Sequence, residues 1–255
     1  MCDACWRTIA FVTEPRCDRC GDPLPPGGSD GPCACEQLSG DISRARVLGP
    51  YEGTLREALH ALKYGRCRSI ASRLAALLVE RCGPVLTGAD AIVPVPLHWR
   101  RQWSRGFNQA EEIARHLPLP VWRVLRRVRY TPPQTTLSAS ARAVNVRGAI
   151  AARRLGHPGR VHDRCVVVLD DVSTTGATLA ACAAILKALG AREIRTLTVA
   201  RTREYRLAVM PPRHRAHQTS GRELNEPALT CRPSSESQQR RLPAPLEGGP
   251  APRQS

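Results

Sequence analysis

The sequence predicts an α/β fold, a parallel β-sheet with helices packed against it. Two observations carry that prediction. Cys165-Val166-Val167-Val168-Leu169 is an unbroken apolar, β-branched run, the pattern of a strand buried on both faces. Around it, residues 91–200 alternate short apolar runs with stretches of helical period, and strand–helix–strand repetition implies parallel strands joined by crossover helices.

The elements follow in chain order. Residues 1–40 hold six of the eleven cysteines and a Pro/Gly-rich stretch from Pro23 to Pro32. Residues 41–90 read as helical: Leu55, Leu59 and Leu62 are spaced for one helix face, as are Ile70, Leu74, Leu77 and Leu78 for the next. Ala91 to Val95 reads as a short buried strand. Asn108 to Leu117 fits a helix, with Asn108 as its cap, Pro118 as its stop and Phe107 as a core anchor before it. After the Cys165 run, Thr178 to Leu189 is an Ala/Leu helix closed by Gly190, and Ile194 to Val199 is another strand. From about Met210 onward the chain is rich in Pro, Ser, Gln and Arg without a sustained apolar period, and reads as a disordered tail.

Composition excludes several classes. The chain has 255 residues, enough for one or two domains. Hydrophobic residues are 42% but aromatics only 4%, so the core must be mostly Ala, Leu and Val. No run of about 18 apolar residues exists, so no transmembrane helix is expected. The start, Met1-Cys2-Asp3-Ala4-Cys5-Trp6-Arg7, has no signal-peptide apolar stretch, and a cytoplasmic location is expected. Cysteines there serve as thiols or metal ligands more than as disulfides. Cys67, Cys82, Cys165 and Cys182 read as core or scattered thiols, and Cys231 has no assigned role.

The net charge of +16 is unevenly placed. Residues 91–162 hold thirteen arginines against Glu111 and Glu112 alone, a net of +11. Residues 1–90 and 163–200 are each neutral in sum, and residues 201–255 carry +5. The basic charge points to an anionic partner: nucleic acid, acidic lipid or a phosphorylated metabolite.

The stretch from Val166 to Thr178 carries the chemistry. A buried strand ends in adjacent carboxylates, Asp170 and Asp171. Ser173, Thr174, Thr175, Gly176, Ala177 and Thr178 follow and lead into a helix. Backbone N–H groups at such a loop and helix start, with the helix dipole, form an anion pocket suited to a phosphate monoester. The two carboxylates suit vicinal hydroxyls or a divalent cation. A ligand with a phosphate at one end and a diol beside it satisfies both, and ribose 5-phosphate has that shape. No Gly-Lys-Ser/Thr follows the strand, so this is not a Walker loop.

The N-terminal cysteines have knuckle-like spacing: Cys2-x2-Cys5, Cys17-x2-Cys20 and Cys33-x-Cys35. Cys17, Cys20, Cys33 and Cys35 can complete a tetrahedral zinc site. Cys2 and Cys5 are then half of a second site, or alternatively pair with Cys17 and Cys20.

The Asp170-to-Thr178 segment resembles the phosphoribosyl pyrophosphate (PRPP) motif of type I phosphoribosyltransferases. The resemblance implies that Asp170 and Asp171 contact the ribose hydroxyls, that Thr174 to Thr178 hold the 5′-phosphate, and that Mg²⁺ comes with the ligand. Further stretches narrow the match: Leu62-Lys63-Tyr64-Gly65; Val93-Pro94-Val95-Pro96-Leu97-His98 leading to Arg100, Arg101 and Arg105-Gly106-Phe107-Asn108-Gln109; then Thr131-Pro132-Pro133-Gln134, Leu137, Arg142, Asn145 and Arg147-Gly148. With the cysteine pairs, these resemble the ComF family (ComFC/GntX-like proteins), linked to DNA uptake in competent bacteria, over roughly residues 2–202.

That resemblance implies a type I phosphoribosyltransferase-like domain, residues 41–209, between a zinc-ribbon-like module, residues 1–40, and the tail, residues 210–255. Members of the family usually begin with a double zinc ribbon of four cysteine pairs. Three are present here, so the module is expected to be truncated. Arg100, Arg101 and Arg105 are placed for a pyrophosphate loop, where guanidinium forks match phosphate oxygens. Lys63 reads equally as a phosphate contact or as an ordinary helix-end lysine, and Arg142, Asn145 and Arg147 are candidates for a flap over the ligand. The expected function is a PRPP/Mg²⁺-binding protein assisting single-stranded DNA import, with a helicase as partner. The alternatives are a phosphoribosyltransferase of nucleotide salvage and a non-catalytic single-stranded DNA binder. No residue identifies an acceptor nucleophile.

Overall fold

A strand buried on both faces must send alternate side chains into two different cores, and β5 (Cys165–Ser173) does so. Val167 and Leu169 enter one apolar cluster, and Val166 and Val168 enter the other. The structure, a computed structural model, describes residues 1–24, 35, 38–65, 67–98, 103, 106–129, 148–154 and 157–202. The tail from residue 210 lies outside them.

β5 sits inside a four-stranded, all-parallel sheet of order β1-β6-β5-β2, with β1 Arg44–Pro50, β2 Ala91–Pro94 and β6 Glu193–Arg201. One face carries α2 (Gly53–Tyr64), α3 (Ser69–Cys82) and the short α4 (Gln109–Ala114), which bury Leu55, Leu59, Leu62, Leu74, Leu78 and Ile113 against it. The other face carries α5 (Ala177–Ala188) and an antiparallel pair, β3 (Leu125–Arg127) with β4 (Ile150–Ala152). The expected α/β class, parallel sheet and covering helices are all present.

Several elements depart from the expectation, each for a local reason. β1 lies in a region read as helical. Its Arg44, Arg46, Gly49 and Pro50 are poor strand formers, and tertiary pairing with β6 overrides that preference. Arg46 is buried there because its Nη1 donates to the carbonyls of Asp18 and Ala45, both at 2.8 Å. α4 stops at Ala114 rather than Leu117, since His116 and Leu117 donate to carbonyls three residues back, the tighter pattern common at helix ends. Its Asn108 cap is as expected, the side chain accepting from Ala110 N. Phe107 is buried in the core, with the Arg68 guanidinium 4.7 Å from its ring. β5 runs on through both aspartates to Ser173, where the sequence suggested a loop. The N-terminal α1 (Asp3–Arg7), whose Trp6 joins the first core cluster, and the β3–β4 pair had no sequence signal strong enough to declare them. Cys82, Cys165 and Cys182 are buried free thiols as expected, whereas Cys67 is buried but disulfide-bonded.

The outer edge of β1 is covered by the N-terminal segment. Val12 N–H donates to the Leu48 carbonyl at 3.0 Å, and Ala45 N–H donates to the Arg19 carbonyl at 2.6 Å. The fit is close: a Cβ on Gly21, where φ is +73°, would lie 2.6 Å from the Ala45 oxygen. At the opposite edge, Ile92 exchanges hydrogen bonds with Pro120 and Trp122. Covering both edges removes a template for unwanted strand pairing.

Candidate functional site

The two carboxylates leave the carboxyl end of β5 on opposite faces. Asp171 points to the α2 face, where Lys63 Nζ lies 2.7 Å from its Oδ2. Asp170 is buried, 8% exposed, toward α5. One of its oxygens, Oδ1, accepts from Asp171 N–H at 2.9 Å. Burial, and then the neighbouring Asp171 carboxylate, push the Asp170 carboxyl well above the usual range, with Lys63 only partly offsetting them. Burial alone would lower the pKa of Lys63, but attraction and hydrogen bonding from Asp171 outweigh it, and the ammonium stays charged. The pair therefore consists of one carboxylate that faces a cation, Lys63, and one carboxyl whose burial resists ionisation. Such a pair can accept from one hydroxyl and exchange a hydrogen bond with its neighbour.

Thr174 and Thr175 follow, and Gly176 turns the chain with φ +75° into α5, a conformation that favours glycine. Thr175 Oγ1 accepts from Ala177 N–H at 3.4 Å. No side chain caps Gly176 at the start of the twelve-residue α5, whose first-turn N–H groups and dipole favour an anion. A pocket opens beside this loop, lined by Ser173 to Gly176, Leu179 and, across from them, Cys20, Ser39 and Arg201.

Cys17, Cys20 and Cys35 place their sulfurs within 4.8 Å of one another, with Cys17 and Cys35 3.4 Å apart. Backbone N–H groups of Cys20 and Arg19 bring Cys17 down to about 7 against the upward push of burial, so its thiolate forms near neutrality. Burial drives the Cys20 thiol upward. Three converging sulfurs at these separations fit a tetrahedral zinc ion with Zn–S of about 2.3 Å. Cys33, the expected fourth ligand, lies outside the described residues. Cys2 and Cys5 are 3.4 Å from each other on α1, but among the described residues they join no cluster of three, and they do not pair with Cys17 and Cys20.

Part of the basic segment forms a cleft at the carboxyl end of β2. Arg123, Arg126, Arg127 and Arg153 line it with Pro94, Pro96 and Asn108. The only two acids of the segment are already engaged. Arg115 pairs with Glu111 at 2.7 Å and Glu112 at 3.0 Å, and Arg123 pairs with Glu111 at 2.5 Å. Arg126 and Arg153 also line the cleft, and Arg126 Nε donates to the Ala152 carbonyl at 3.4 Å. Arg100, Arg101, Arg105, Arg142, Asn145 and Arg147, expected at the pyrophosphate loop and flap, lie outside the described residues. Lys63, read as a possible phosphate contact, lies 2.7 Å from Asp171 Oδ2. The sequence reading missed Arg201, at the end of the α/β domain, and Asp22. No local motif marks either residue; only the fold brings Arg201 to the pocket and Asp22 to Arg201.

Among the described residues, no helix is long and apolar enough to cross a membrane. The model of the phosphoribosyl transferase domain matches residues 103–216. A DNA utilization protein, YhgH, of Escherichia coli (strain K12) is 35% identical over 215 residues, covering 79% of this chain and 90% of that protein. The protein of the same name from Salmonella typhi matches to the same extent, 35% over 215 residues. Competence protein F of Haemophilus influenzae is 32% identical over 214 residues, again covering 79% and 90%. Among solved structures, the glutamine PRPP amidotransferase of B. subtilis aligns at 23% identity over 51% of this chain and 26% of its own, with a TM-score of 0.35. With a parallel sheet, a hydroxyl-rich loop after β5, an N-terminal cysteine cluster and relatives this similar along nearly their whole length, the chain belongs to the ComF family of phosphoribosyltransferase-domain proteins.

Proposed function

We propose that this chain binds PRPP with Mg²⁺ at the carboxyl end of β5 and acts in the handling of DNA during its uptake or use. The observation that carries the first half is the arrangement of Asp170, Asp171 and the Ser173–Thr178 loop. Two acids on adjacent residues suit a vicinal diol, and the loop opening α5 suits a phosphate a few ångströms away. Asp171, paired with Lys63, accepts from a ribose hydroxyl. Asp170, biased toward its protonated form, fixes the second. The loop amides and the Thr174, Thr175 and Thr178 hydroxyls hold the 5′-phosphate. Mg²⁺ bound with the ligand would neutralise pyrophosphate oxygens, and Arg100, Arg101 and Arg105 are the residues assigned to the same group.

The DNA half is supported by the names of the relatives and by the arginine cleft beside β2. Arginines there provide backbone-type contacts to phosphates, which are insensitive to sequence. A helicase that moves the strand is the partner such a role implies. Zinc at Cys17, Cys20 and Cys35 is a structural ion that ties the knuckle together.

Four outcomes test these readings. In calorimetry with PRPP and Mg²⁺, the wild type binds and the Asp170→Ala/Asp171→Ala protein does not; equal binding by both, or none by either, overturns the site. Asp170→Asn is expected to stabilise the ligand-free protein. A carboxyl whose folded pKa is raised above its unfolded value of about 3.9 costs stability as pH rises through that interval. Thermal melts should show the variant above wild type near neutral pH, with the gap closing toward about pH 4. Metal analysis should find about one zinc per chain, lost in Cys17→Ser. The Arg126→Ala/Arg153→Ala protein should show a log–log salt slope for single-stranded DNA flatter by about 1.4, at roughly 0.7 per phosphate contact. An unchanged slope removes the cleft from DNA binding.

A further inference from the structure

The pocket beside the hydroxyl loop has a wall that belongs neither to the loop nor to its helix. Opposite Ser173, Thr174, Thr175 and Gly176 stand Cys20 and Arg201, and Arg201 is the one charged side chain among the described residues that line it. Arg201 closes β6 directly across from Ser173 in the parallel register, and the next residue, Thr202, donates its N–H to the Ser173 carbonyl at 2.9 Å. Loop and arginine are therefore fixed to each other by the sheet.

The guanidinium is nearly buried, 12% exposed, and its Nη1 donates to Asp22 Oδ1 at 2.5 Å, with Asp22 9% exposed. Asp22 belongs to the cysteine knuckle: it lies two residues after Cys20, and its carbonyl accepts from Cys17 N–H at 2.8 Å. A buried ion pair is a poor source of stability, because apolar residues of equal volume serve as well or better. Its presence on a pocket wall calls for another role. An arginine offers five donors in a planar fork, and Asp22 holds one end of that fork, aiming the rest. The loop supplies N–H groups and hydroxyls but no net charge, and two acids stand close behind it. A phosphate dianion in this pocket needs a cation, and Arg201 is placed to provide it.

We propose that Arg201, held in place by Asp22 of the cysteine knuckle, is a phosphate-binding residue of this pocket, so that the N-terminal module forms the outer wall of the 5′-phosphate site. This rests on the reading of the Ser173–Thr178 loop as that site. Asp22 is a positioning residue, acting through Arg201. The knuckle then contributes to ligand recognition as well as to fold.

Calorimetry on the full chain with ribose 5-phosphate tests the proposal. Mg²⁺-pyrophosphate, which lacks the 5′-phosphate, serves as control ligand, and zinc content and melting temperature are measured for every variant. Arg201→Gln should weaken ribose 5-phosphate by about tenfold, the loss of a charge-assisted hydrogen bond, while pyrophosphate stays within about twofold. Arg201→Lys retains the charge and the reach to Asp22 but not the fork; it should fall between the two, and it stands in should the glutamine variant melt early or lose zinc. Unchanged ribose 5-phosphate affinity overturns the role of Arg201 and leaves the phosphoribosyl reading standing. Equal weakening of both ligands assigns Arg201 to the fold alone and also overturns the proposal. A wild type that binds PRPP or ribose 5-phosphate not at all overturns both readings together.

Discussion

Everything at the site depends on the alternation of β5. A strand sends successive side chains to opposite faces. Because β5 stays a strand through Asp170 and Asp171, the two acids face different surroundings although they are neighbours in sequence. Asp171 meets Lys63 from α2, and Asp170 is buried on the α5 side, where burial outweighs the attraction of Lys63. Had the strand ended at Leu169, both carboxylates would have been free to turn to water and their chemistry would be the same. The sheet therefore sets their different surroundings, and α2 is placed by its leucines so that Lys63 arrives at one of them.

The same sheet couples the cysteine module to the site. β6 lies between β1 and β5, so its final residue, Arg201, touches the loop by backbone pairing and the knuckle by its side chain. β1 in turn holds the knuckle through the Ala45–Arg19 hydrogen bond and through Arg46, whose guanidinium gathers carbonyls of the knuckle. Sheet and module are thus one packed unit around a single pocket, although the chain divides them into a cysteine-rich segment and an α/β segment.

What was legible in the sequence was whatever rests on local pattern. The Val-rich run of β5, the leucine periods of α2 and α3, the Asn108 cap and the Asp170–Thr178 stretch all announce themselves because their physical cause lies within a few residues. β1 did not, since its burial comes from partners at residues 193–201 and from the knuckle, not from its own composition. The short β3 and β4 are three residues each and pair only through the fold. Lys63 was visible as a candidate, but its partner was not: a lysine at a helix end suits a phosphate or a carboxylate equally until the neighbouring strand is placed. Arg201 and Asp22 were invisible for the same reason, being 179 residues apart in sequence.

The close seating of residues 10–21 along β1 has an evolutionary consequence. The segment that carries Cys17 and Cys20 also supplies hydrogen-bond partners to the edge of the sheet, and Gly21 must stay small and left-handed to do so. A descendant that discarded the cysteines could not simply shed the module. It would first have to recruit another strand or loop to shield β1, or carry an open sheet edge that invites association with other chains. Loss of the knuckle and exposure of the sheet edge are thereby linked, which gives selection a reason to retain the knuckle even in a lineage that no longer uses the pocket.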